Sequence, residues 1–109
     1  MSSALTLARP YARAAFETAV SKGSLAAWAE KLAFAAQVAA DPRVVGLLGN
    51  PRLSAGELAS LFLPHAEKVD SDFGRFISLL ADNGRLWALP EIGALFEQLK
   101  LESERTLKV

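Results

Sequence analysis

Apolar residues recur along the chain at spacings of three and four, and the runs break at glycine, proline and capping residues. That pattern predicts about six helical segments joined by short connections. The first runs from about Leu5 to Lys22 and stops at Gly23, a residue suited to a helix C-terminus. Ser24 is placed to cap a second segment, from Leu25 to about Ala40. Asp41-Pro42, a cap followed by proline at the first helical position, opens a short third segment that ends near Gly49. Asn50-Pro51 forces a non-helical link, and Ser54-Ala55-Gly56-Glu57 matches a capping box that starts a fourth, to about Leu63. Asp70 or Ser71 caps a fifth that ends at Asn83-Gly84, and a sixth starts between Leu86 and Pro90 and runs towards Thr106.

At about 100° per residue each segment divides into faces. Segment one collects Leu5, Ala8, Ala12, Ala15, Phe16 and Ala19 on a core face and Arg9, Arg13 and Glu17 on a polar one. Leu7, Tyr11, Ala14 and Thr18 form a second stripe beside the core. It either packs under a neighbouring helix or makes a shallow groove for a partner helix, with small residues permitting close approach. Segment two turns Leu25, Trp28, Ala29, Leu32 and Ala36 inwards, leaving Ala27, Phe34 and Val38 opposite. Segment five has a core face of Phe73, Phe76, Ile77 and Leu80, with Leu79 about 100° off it among Asp72, Arg75 and Asp82. If segments one and five are neighbours, Leu79 and the Tyr11 stripe border one groove. Segment six points Ile92, Leu95, Phe96 and Leu99 inwards, while Trp87 and Leu101 fall off its core face.

Composition narrows the fold further. Of 109 residues, twenty are Ala and eighteen are Leu, whereas Val, Ile and Thr together supply eleven, which favours an all-α, compact six-helix bundle. No apolar run approaches the roughly 20 residues that span a bilayer, and the start lacks the features of a signal peptide. The final Leu107-Lys108-Val109 alternates like the first residues of a strand. The chain therefore reads as one domain, residues 1–106, followed by the start of another at 107–109.

Chemistry is hard to assemble from these residues. Twelve basic and twelve acidic residues give a formal net charge of zero, without the basic footprint of a nucleic-acid binder. With no Cys and one His, no disulfide framework, thiol nucleophile or Cys- or His-rich metal site is available. His65 sits in a loop, Glu102 and Glu104 point to different sides of a helix, and Gly46 and Gly49 do not form a phosphate-binding loop. No catalytic residue, cofactor or metal is expected.

Two stretches resemble a known family. Ala8-Arg9-Pro10-Tyr11-Ala12, with Ala14-Ala15-Phe16-Glu17 behind it, resembles the amino-terminal signature of the δ subunits of bacterial F-type ATP synthases. Their mitochondrial relative is the oligomycin-sensitivity-conferring protein. Phe76-Ile77-Ser78-Leu79-Leu80-Ala81-Asp82-Asn83-Gly84-Arg85-Leu86, followed by Leu89, Ile92 and Phe96, resembles the family's fifth helix end, Asn-Gly-Arg turn and sixth helix start. Trp28 and the run from Ala33 to Ala36 fit as well, and the similarity covers essentially all 109 residues in order. The initial Met and the lack of an Arg-rich transit segment favour the bacterial form.

The resemblance implies a six-helix amino-terminal domain that serves as part of a stator. In such a role it grips the amino-terminal helix of an α subunit on top of the catalytic head. The b subunits of the peripheral stalk would be held by a carboxy-terminal domain that is missing here. The head is thereby kept from turning with the rotor, in support of ATP synthesis driven by the proton-motive force. The implied setting is the cytoplasmic face of the bacterial inner membrane, as a peripheral component without direct insertion. The family docks the α helix on the first and fifth helices, which implies Leu7, Tyr11, Ala14 and Thr18 from one and Arg75 and Leu79 from the other as partner-binding residues. Tyr11 and Leu79 would be apolar anchors, Ala14 and Thr18 would give close approach, and Arg75 would meet acidic groups. Asn83, Gly84 and Arg85 are read as turn structure. Two alternatives stand beside this: a helix-turn-helix-like nucleic-acid-binding module, disfavoured by the charge, and a small-molecule carrier, which would need an internal cavity.

Overall fold

The structure, a computed structural model, describes residues 4–107, with side chains as far as Arg105. Six helices follow one another: α1 (Ala4–Ser21), α2 (Leu25–Ala40), α3 (Pro42–Leu48), α4 (Ala55–Ser60), α5 (Asp72–Asp82) and α6 (Leu89–Leu107). A single 3-10 turn, Leu86–Ala88, leads into α6, and no strand occurs among the described residues. The expected all-α six-helix bundle is therefore what the chain forms. Its radius of gyration, 13.8 Å, is close to the roughly 13 Å of a compact domain of this length.

Alanine decides how the helices meet. Ala8, Ala12, Ala15 and Ala19 form one buried stripe along α1, and α1 packs chiefly on α6. The same helix α6 also receives α2, whose buried stripe is Trp28, Leu32, Ala35 and Ala39. Leu89, Ile92 and Phe96 fill the space between them. Phe16 and Phe96 meet edge to face, with ring centroids 6.0 Å apart. On the other side of the core Trp28 stands edge-on to Phe73 and Phe76, at 5.3 and 5.6 Å, so Trp28 is a core residue as expected. Phe73, Phe76, Ile77 and Leu80 all point inwards from α5, the face that the spacing predicts.

Helix ends follow local chemistry closely. The capping box at Ser54 is complete: its hydroxyl accepts from the Glu57 N–H and its own N–H donates to the Glu57 carboxylate, both at 3.1 Å. Asp41 caps α3 by accepting from the Arg43 N–H at 2.9 Å. Side-chain hydrogen bonds from Arg43, then that backbone bond, hold the Asp41 carboxyl down at about 2. Of the two candidates before α5, Ser71 is the cap, accepting from the Gly74 N–H at 3.0 Å. Gly23 and Gly84 both adopt φ of +64°, and each closes a Schellman turn. After α1 the Ser24 N–H reaches the Ala19 carbonyl at 2.9 Å, and after α5 the Arg85 N–H reaches the Leu80 carbonyl at 2.8 Å.

Four expectations need correction. Ser24 precedes α2 but makes no side-chain cap, because closing the turn after α1 leaves its ψ at 33°, outside the extended region a cap uses. Helix α4 stops at Ser60 instead of Leu63. Phe62 and Leu63 tighten onto the carbonyls three residues back, since Pro64 disfavours an α conformation at Leu63. Leu5 is exposed instead of buried: burial along α1 begins at Ala8, and the first turn overhangs the core. Leu107 belongs to α6 and not to a strand, while Lys108 and Val109 lie outside the described residues. A smaller adjustment concerns α2, where Val38 packs against the core and Phe34 is exposed.

The segment between α4 and α5 is pinned over α2 by a largely buried carboxylate. Glu67 accepts from the Ser71 hydroxyl and pairs with Lys31 at 3.0 Å, and Lys31 in turn lies 6.0 Å from the Phe73 ring centre. The Ser71 hydrogen bond first, and then Lys31, hold the Glu67 carboxyl below its ordinary value of 4.5. A depressed native value means the stabilisation is complete above 4.5 and is lost as pH falls through the lower native value. Acid titration of Tm should therefore show a decline below that point that is shallower in Glu67→Gln; parallel curves would place the acid sensitivity elsewhere.

Candidate helix-docking groove

Helix α1 presents a flank on each side of its alanine stripe. At about 100° per residue, Leu7, Tyr11, Ala14 and Thr18 lie on one flank and Arg9 and Arg13 on the other. On the first flank Ala14 is exposed, while Leu7, Tyr11 and Thr18 are half-buried, with Tyr11 resting against the core. On α5 Arg75 is exposed, as is Leu79, which keeps 47% of its surface in solvent beside the fully buried Leu80.

Two side-chain ties bring these flanks together. The Asn83 amide donates to the Tyr11 hydroxyl at 3.2 Å, just past the end of α5. At the other end Lys22 Nζ lies 3.7 Å from an Asp72 carboxylate oxygen, an exposed pair that marks position more than it adds stability. Helices α1 and α5 thus run antiparallel, tied at points roughly 16 Å apart at 1.5 Å per residue. Both ties define the same register. Counting inwards from either, Ala14 comes level with Leu80 and Thr18 with Phe76, each next in the chain to the exposed Leu79 and Arg75.

Between the ties the two helices are not interlocked: α1 packs chiefly on α6, and α5 chiefly on α4. An antiparallel pair joined at its ends and packed elsewhere leaves a furrow along its length. On the two flanks beside it Ala14, Leu79 and Arg75 are exposed, and Tyr11 and Thr18 are half-buried. Leu7 lies one turn before Tyr11 on the same flank of α1, beyond the Tyr11–Asn83 tie. Arg75 makes no ion pair among the described residues, so its guanidinium is available to an acidic group.

Three residues of this arrangement escape sequence reasoning. Asn83 is more than a turn former, since its side chain reaches α1; as a C-cap it lies outside the helical periodicity that identifies faces. Lys22 and Asp72 are ordinary terminal charges until the fold sets them opposite each other. His65 is exposed, and no group of His, Cys, Asp or Glu suited to a metal occurs among the described residues. No helix among those residues is long and apolar enough to cross a membrane.

Comparison with known proteins gives consistent matches along the chain. Residues 7–109 match the family described as the ATP synthase delta (OSCP) subunit. The chain is 54% identical over 108 residues to the ATP synthase subunit delta of Xanthomonas campestris pv. campestris (strain B100), covering 99% of this chain and 61% of that protein. It is 49% identical over 110 residues to the ATP synthase subunit delta of Stenotrophomonas maltophilia (strain R551-3), with the same coverage. The subunit delta of Xanthomonas oryzae pv. oryzae (strain MAFF 311018) is 49% identical over 108 residues. The chain spans 61% of the length of these relatives. A match over nearly the whole chain, at about half identity and on a six-helix bundle, places it plainly: the chain belongs to the ATP synthase delta (OSCP) subunit family.

Proposed function

We propose that this chain is the part of an ATP synthase δ subunit that grips the amino-terminal helix of an α subunit, and that the furrow between α1 and α5 is where it does so. The observation that carries the reading is the shared register of the two ties. It supports reading Tyr11, Ala14 and Thr18 as facing Leu79 and Arg75 across a seam, a surface suited to an amphipathic helix. Tyr11 and Leu79 anchor the apolar side of the partner, Ala14 and Thr18 let its backbone approach, and Arg75 takes an acidic residue at the edge.

In this reading the chain performs no chemistry. It forms one joint of a stator, on the cytoplasmic face of a bacterial inner membrane, that stops the catalytic head from following the rotor during ATP synthesis. The other joint, to the b subunits, is assigned to the part of the subunit beyond this chain. Family membership supports the setting, and the furrow supports the joint.

Titration of this chain with a peptide from the α amino terminus, followed by amide chemical shifts, tests the proposal. The expected changes cluster at Tyr11, Ala14, Thr18, Arg75 and Leu79. No binding at near-millimolar peptide, or changes confined to α2 and α4, would overturn it.

A further inference from the structure

The opposite flank of α1 borders a second cleft, between α1 and α6, with a volume of about 430 Å³. Its floor is apolar: Ala12 is fully buried, and Leu95 and Leu99 of α6 are half-buried. Arg9 and Arg13 stand on the α1 rim, one helical turn apart, and Gln98 and Glu102 face them from α6. Neither guanidinium makes a hydrogen bond or ion pair among the described residues. Pro10, inside α1, also lines the cleft. Proline there removes a backbone donor from the helix interior, at about 3 kcal/mol relative to alanine. A local rule broken at the edge of a cleft is what a binding surface would explain and simple packing would not.

We propose that this α1–α6 cleft is a second docking site, for an acidic amphipathic helix of a protein partner. Such a helix would set an apolar side chain over Leu95 and Leu99. Two carboxylates one turn apart would meet Arg9 and Arg13, whose planar guanidinium groups suit carboxylates. The negative charge of Glu102 on the far rim opposes a third acid there, so the occupant carries its acidic edge on the α1 side only. An inorganic anion would use the arginines but leave the apolar floor in water; a helix covers both. The cleft lies on the far side of the alanine stripe from Tyr11 and Thr18, so it can be filled while the α1–α5 furrow is occupied.

The test uses an alanine-based helical peptide with a leucine stripe and, beside it, two glutamates one turn apart, together with its glutamine counterpart. With the whole chain at low salt, the glutamate peptide should shift the amides of Arg9, Arg13, Leu95 and Leu99. Arg9→Ala with Arg13→Ala should weaken it roughly tenfold, as should replacing its glutamates by glutamine. Glu97→Gln should leave this binding nearly unchanged, because Glu97 is exposed on α6 and does not line the cleft. Equal affinity of the two peptides, insensitivity to the arginine substitutions, shifts at Leu79 in place of Leu95 and Leu99, or no binding at near-millimolar peptide would each overturn the proposal. Circular dichroism confirms that the arginine variants, exposed on a helix surface, remain folded.

Discussion

Leu79→Asp should weaken binding of an α amino-terminal peptide by about a hundredfold or more while leaving Tm close to that of the unchanged chain. The two halves of this expectation have separate causes. Leu79 keeps 47% of its surface in solvent, so a charge there costs the free chain little, within about 0.5 kcal/mol. Once a helix covers the furrow, the carboxylate would replace an apolar anchor in the seam, and its nearest cation, Arg75 one turn back, would be drawn away from the partner's acidic residue, so the apolar contact and the edge pairing are lost together. The neighbouring Leu80 serves as the control, because it is fully buried and Leu80→Asp should unfold the domain. Isothermal titration and thermal melts on the same samples separate the two effects. Unchanged affinity in a folded Leu79→Asp variant would remove Leu79 from the interface. Arg75 offers a milder comparison, since truncating a charge at the edge chiefly changes the association rate and its salt dependence.

Gly74→Ala should destabilise the fold by about 2 kcal/mol or more, lowering Tm by roughly 10 °C. A Cβ at Gly74 would lie 2.3 Å from the Lys68 carbonyl oxygen and 2.4 Å from that of Val69. Both are backbone atoms, so no change of rotamer relieves the clash. The loop that carries them is also anchored, by the Ser71 cap on one side and by Glu67 on Lys31 on the other. Alanine's better helix propensity, about 1 kcal/mol, would offset only part of this. Gly46 in α3 makes a sharp contrast: nothing lies within 4 Å of its added Cβ, so Gly46→Ala should raise stability by roughly 0.5–1 kcal/mol. Chemical denaturation of the two variants decides the matter; a neutral Gly74→Ala would mean that the loop lifts off α5 at little cost.

Much of the fold is legible in the sequence because it is decided locally. The capping box at Ser54, the Asp41-Pro42 start and the glycines at 23 and 84 each set a helix boundary with chemistry contained in a few residues. Core faces are nearly as legible, since the buried stripes of α1 and α5 recur at the helical period. What the sequence hides is adjacency. Periodicity finds the Tyr11 stripe and the off-face Leu79, but only the Tyr11–Asn83 and Lys22–Asp72 ties set them across one seam. Arg9 and Arg13 read as a solvated face until Leu95 and Leu99 of α6 supply an apolar floor beside them. The turn at Ser24 misleads for a different reason, because one residue there serves two helices and its backbone satisfies the first.

The alanine stripe of α1 has a mechanical consequence. Alanine has no side-chain rotamers to lose or exchange, so the α1 side of the seam with α6 cannot adjust by changing rotamers. A seam of leucines would yield under sideways pull by swapping rotamers. A face of methyl groups has no such slack on its own side of the seam. The buried side of helix α1 is therefore built as a stiff strut, and in the proposed stator a pull applied at the Tyr11 flank would pass towards α6 with little absorbed on the α1 side.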